Sequence, residues 1–82
     1  MGTFLGIHDK GASVTDDEAV ASWTAYKTAA TAMGCTPKHS HYSAEKGKGF
    51  CVTEANSAEE VQKAHDNAKV PVNEIFEIKD LQ

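Results

Sequence analysis

The residues best equipped for chemistry in this chain are its four histidines and two cysteines. Cys51 stands in residues 38–54 (KHSHYSAEKGKGFCVTE), which also carry His39 and His41, while His8 and His65 lie to either side. Imidazole nitrogen with thiolate sulfur suits late first-row cations such as nickel, copper, zinc and iron, whose affinities follow ligand softness and geometry more than linear spacing. A rival chemistry makes Cys51 a nucleophile with His8 or His41 as its base. That use also needs a group to stabilise an oxyanion, and no glycine-rich anion nest lies beside Cys51, so it ranks below metal binding. Phosphate loops, dinucleotide fingerprints and paired catalytic carboxylates are absent, and a binding protein is expected rather than an enzyme. Against both stands the ordinary behaviour of these residues: a strand cysteine is commonly a small buried hydrophobe, and a His-Ser-His strand is commonly solvated.

The elements that must position these groups follow from periodicity. Residues 3–8 (TFLGIH) alternate, with Leu5 and Ile7 on one side and Phe4, Gly6 and His8 on the other, as a strand requires. A turn is expected over Asp9, Lys10 and Gly11. Thr15-Asp16-Asp17-Glu18 is a capping box that opens a helix, and the acids in its first turn suit the positive end of the helix dipole. Ala19, Trp23, Tyr26, Ala30 and Met33 fall at spacings of three and four and form its apolar face. Gly34 suits the left-handed position after the helix, and Pro37 prevents its continuation.

Residues 38–43 and 49–54 read as two strands of a hairpin. Glu45-Lys46-Gly47 fits a three-residue loop with Gly47 in the left-handed slot. Pairing Ala44 with Lys48 and counting outward sets His41 opposite Cys51 and His39 opposite Thr53, leaving Phe50 and Val52 for the helices. A four-residue loop reverses the faces and pairs Ser40 with Cys51. Ser57-Ala58-Glu59-Glu60 is a second capping box, followed by an inward stripe of Val61, Ala64, His65 and Ala68. On that stripe His65 reads as a core or boundary histidine. Residues 73–78 (NEIFEI) alternate as a last strand before a short polar tail.

The order strand, helix, strand, strand, helix, strand is the ferredoxin-like α+β arrangement, with both helices on one face of a four-stranded antiparallel sheet. Eighty-two residues make one domain spanning 1–82, near the size at which a single core is marginal. The other sheet face is left bare, with Phe4 and Ile75 expected on it, and a homodimer or higher homo-oligomer is the expected cover. The net charge of -4, with basic residues scattered singly, gives no footprint for nucleic acid. No apolar run reaches the roughly 20 residues that span a bilayer and the first residues lack the pattern of a leader, so a cytoplasmic protein with no membrane partner is expected. Cys35 and Cys51 form no CxxC pair, and in the hairpin count Cys35 lies beyond Ala55, too far for a disulfide.

Residues 4–8 (FLGIH), 47–54 (GKGFCVTE), 57–68 (SAEEVQKAHDNA) and 72–78 (VNEIFEI) resemble a small bacterial nickel-binding ferredoxin-like family, over nearly the whole chain. The most specific parts are Phe50-Cys51, Ala64-His65 and His8. The resemblance implies a ferredoxin-like fold, assembly into dimers or more, and binding of nickel or a related ion such as zinc or copper. Residue by residue, His8, Cys51 and His65 carry over as metal ligands. Family members often have a histidine and, three residues on, an aspartate in the first helix, where this chain has Trp23 and Tyr26. His39 and His41 are outside the family pattern, and His41 joins the candidate ligands on the hairpin count alone. Placing His65 on a helix puts it across the sheet from a His8 and Cys51 face turned away from the helices, so one of those assignments must give or the ligands come from different subunits.

Three functional readings follow. The first is a cytosolic nickel-binding protein serving metal storage or homeostasis, with Cys51, His8, His65 and His41 as ligands. The second is a dimeric barrel, an enzyme or small-molecule binder, with a pocket on the bare sheet face lined by His39, His41 and Tyr42. The third is a domain that mediates assembly only.

Overall fold

The computed structural model describes residues 1–9, 15–79 and 81. The elements run β1 (Gly2–Asp9), α1 (Asp16–Ala32), β2 (Thr36–Ser43), β3 (Lys48–Ala55), α2 (Ala58–Ala68) and β4 (Glu74–Ile78). The strands form one antiparallel sheet in the order β2-β3-β1-β4, with β1 and β3 at its centre. This is the ferredoxin-like fold, as the element order implies. The expected turn at Lys10 and Gly11 and the tail residues Asp80 and Gln82 lie outside the described residues.

Both helices start where their caps place them. The Thr15 hydroxyl accepts from the Glu18 amide at 3.2 Å and Glu18 reaches back to the Thr15 amide, closing the box. At α2 the Ser57 hydroxyl accepts from the Glu60 amide, but the Glu60 carboxylate takes the Asn56 amide at 2.9 Å, one residue before the cap. The stripes also face inward: Tyr26 and Ala30 of α1 and Val61, Ala64 and His65 of α2 are buried, with Trp23 and Met33 packed at the margin. Gly34 holds φ 85° just after α1. At the end of α2 the left-handed position falls to Lys69, with φ 59°.

The facing of the strands departs from the hairpin count. Ser43 pairs with Lys48, so the loop has four residues, 44–47, and Ser40 rather than His41 lies opposite Cys51. The Ser43 hydroxyl accepts from the Lys46 amide at 3.2 Å and holds the longer loop. Gly47 is left-handed, at φ 65°, as the three-residue loop would also demand, so the glycine does not discriminate between the two. Because side chains alternate with period two, that single residue inverts the whole strand. Phe50 and Val52 therefore occupy the outer face with His39 and His41, and Cys51, Thr53 and Ala55 turn to the helices.

The same alternation corrects β1 and β4. Phe4, Gly6 and His8 lie on the helix side, Phe4 in the core, and Ile75 packs there opposite Gly6. The bare face is instead carried by Leu5, Ile7, Phe50, Val52, Phe76 and Ile78. In β2 a bulge between Pro37 and His39 takes Lys38 out of register with β3, although its side chain pairs with Glu54 there. This suits an edge strand in which Pro37 has no amide to donate.

Candidate metal centre

At the open end of the layer between sheet and helices, β1, β3 and α2 each contribute one side chain with a metal-ligating atom. Cys51 Sγ lies 3.4 Å from His8 Nε2 and 3.5 Å from His65 Nε2. One ligand atom from each of the three residues falls within 4.8 Å of the others, and all three residues are buried. The disagreement over which side of the sheet His8 and Cys51 share with His65 disappears with the corrected register: all three are on the helix side.

The two imidazoles are oriented alike. His8 Nδ1 lies 2.7 Å from the Pro71 carbonyl and His65 Nδ1 lies 2.8 Å from the Val61 carbonyl. A carbonyl only accepts, so each Nδ1 carries the proton, and in the neutral ring each Nε2 presents a lone pair toward Cys51. A histidine whose far nitrogen donates to a backbone carbonyl is the usual outer shell of a metal-ligating imidazole. Helix geometry supplies one of these carbonyls, because Val61 is one turn before His65. The other depends on the connector after α2. There the left-handed Lys69 turns the chain, the Val70 amide returns to the His65 carbonyl at 3.0 Å, and Asn73 is bonded to both Ile7 and Asp9 at 2.8 Å.

Packing fixes the remaining freedom. The Tyr26 ring lies against His65 with centroids 4.1 Å apart, and its hydroxyl shares a 2.6 Å hydrogen bond with Thr53. Burial pushes the Tyr26 phenol well above its ordinary range, so it stays neutral. Gly6 faces Cys51 across the sheet, and a Cβ there would stand 2.7 Å from Sγ. The glycine thus makes room for the thiol. Sequence reasoning places Tyr26 only on the apolar face of α1 and gives Gly6 no role, although a glycine inside an apolar strand does signal a close approach.

The donor set fits a late first-row cation. With metal–sulfur bonds of about 2.3 Å and metal–nitrogen bonds of about 2.0 Å, a ligand pair spans roughly 3.0 Å at a right angle and roughly 3.5 Å at the tetrahedral angle. The two observed sulfur–nitrogen separations lie within that span. Burial pushes the Cys51 thiol up to about 11, with backbone hydrogen bonds from Gly6 and Cys51 acting in the opposite direction. Without a cation the group is a neutral thiol at physiological pH, and a bound cation would displace its proton.

His41 is not in this group. Its ring lies on the outer face, stacked with His39 at a centroid distance of 6.2 Å. Cys35 is buried elsewhere in the core, with its thiol 3.8 Å from Glu60, and both cysteines are free. Beside the three ligand atoms opens a cavity of about 190 Å³, walled by Trp23 and Tyr26 of α1 and by Tyr42 of β2. Of the residues expected to line a pocket on the bare face, Tyr42 stands on the helix side, opposite Gly49, and His39 does not line this cavity.

Comparison with known proteins agrees with this frame. The chain overlays the crystal structure of SCO4226 from Streptomyces coelicolor A3(2) with a TM-score of 0.89, covering 98% of this chain and 99% of that one at 22% identity. At that identity the likeness shows the shared fold. No curated protein matches the chain significantly. The sequence pattern of a family described as nickel responsive protein SCO4226-like matches residues 4–78. With nearly its whole length matched, from β1 to the end of β4, the chain belongs to the SCO4226-like family of nickel-responsive proteins.

Proposed function

We propose that this protein binds a nickel ion through the Cys51 thiolate and the Nε2 atoms of His8 and His65. The observation that carries the reading is the convergence of these three atoms while both Nδ1 atoms are held by backbone carbonyls. The family description supports nickel among the late first-row ions. Imidazole and thiolate also suit copper and zinc, so competition among metals is part of the test. Bound here, the ion would neutralise the thiolate and tie β1, β3 and α2 together, as suits storage or homeostasis of the metal rather than catalysis.

A homodimer and a reducing, cytoplasmic setting complete the proposal. The bare apolar face supports the first, and two buried free thiols support the second. No helix among the described residues is long and apolar enough to cross a membrane.

The test is metal analysis of the purified protein under reducing conditions, repeated on Cys51→Ser. About one nickel per chain is expected, falling by about a hundredfold or more in affinity for the variant, since a ligand atom itself is lost. If micromolar nickel, copper, zinc and cobalt are all refused by the unaltered protein, the proposal fails.

A further inference from the structure

The cavity beside the three ligand atoms is larger than a coordinated water requires. Its volume is about 190 Å³, whereas one water occupies about 30 Å³ of liquid and a dry cavity of about 150 Å³ accepts benzene. His8, Cys51 and His65 all line it, so a cation held by them would turn its remaining coordination positions toward this space. Three protein ligands with one position open is the arrangement of sites that take an exogenous ligand.

We infer that this cavity binds a small planar nitrogen-donor heterocycle, the size of one imidazole ring, as the exogenous ligand of the metal; the inference rests on the metal-binding reading above. The walls favour a flat ring. Trp23 and Tyr26 lie with centroids 5.9 Å apart and only 27° between their planes, and both line the cavity. Offset stacking on such rings adds to simple burial. The opposite wall comes from the sheet, where Tyr42 is joined to α1 through its hydrogen bond to Asp16. Ser40, directly across from Cys51, adds a hydroxyl to the same wall for the second nitrogen of an azole.

An azole nitrogen is the same donor that His8 and His65 already offer the cation, and its flat ring matches the aromatic wall.

The experiment titrates imidazole into the protein loaded with cobalt(II), reading the visible absorption of the metal and the fluorescence of Trp23, the single tryptophan of the chain. One equivalent of imidazole is expected to shift both signals, binding about tenfold or more tightly than to metal-free protein. Ala19 lines the cavity without offering a ligand atom, so Ala19→Leu is expected to leave cobalt stoichiometry unchanged and weaken imidazole by about tenfold or more. Pyrrole, a ring of the same size with no nitrogen lone pair to give the metal, is expected not to shift the cobalt absorption and tests the donor without a substitution. Stoichiometric cobalt with no response to imidazole, or equal response to imidazole and pyrrole, overturns this inference alone. Failure to take up cobalt overturns it together with the metal reading.

Discussion

At the scale of single residues, the centre depends on one thiol and on a position that must have no side chain. Because burial holds the Cys51 thiol near 11, each metal ion bound below that pH must release its proton. The sign follows: raising the pH favours the thiolate, so affinity rises. Between pH 7 and 9 the logarithm of the nickel association constant is expected to increase by about one unit per pH unit, with about one proton released per ion in weakly buffered solution. Calorimetry in buffers of different ionisation enthalpy measures both, and a flat profile would remove Cys51 from the ligand set. Gly6→Ala probes the other constraint. Its Cβ would press on Sγ at 2.7 Å, and Sγ sits between two imidazoles with little room to turn. A loss of about 1 to 3 kcal/mol in unfolding free energy is expected, together with weaker metal binding.

At the scale of elements, the caps and connectors decide where the ligands stand. The Thr15 box fixes the start of α1, the helix that presses Tyr26 against His65. Thr15→Ala should lower stability by about 1 kcal/mol in denaturant unfolding while leaving metal stoichiometry alone. Lys69 is a different case. It holds a left-handed conformation that an L side chain adopts at a cost of about 1 kcal/mol, at the turn leading to the Pro71 carbonyl that orients His8. Lys69→Gly is expected to raise the melting temperature by a few degrees, and Lys69→Val to lower it, since a β-branched chain fits that region worst. Identical melting of the two variants would show that the turn conformation costs nothing.

At the scale of the whole molecule, the sheet is covered on one side only. Leu5, Ile7, Phe50 and Val52 form the middle of the other face, and Phe76 at its edge keeps 42% of its surface exposed. For a chain of this size, burying that face against a second copy would add apolar area that its own core lacks. Sedimentation at micromolar concentration is expected to show a dimer, and Val52→Lys to raise its dissociation constant by about a hundredfold. A monomeric unaltered protein would leave the face for another occupant.

The sequence by itself determined the element order, both helix starts, both inward stripes and hence the ferredoxin-like fold, because capping and periodicity are local signals carried by neighbouring residues. It also singled out His8 and Cys51 as potential ligands by type. It did not determine which face Cys51 takes. That turned on one residue of loop length between β2 and β3, and Gly47 serves either loop, so only the pairing of β3 with β1, Cys51 against Gly6, decided it. The same tertiary pairing separated His41 from Cys51 and brought His65, which local periodicity reads as a core residue, to 3.5 Å from the thiol. Ligands that come from three different elements meet through packing across the fold, and no spacing along the chain encodes that meeting.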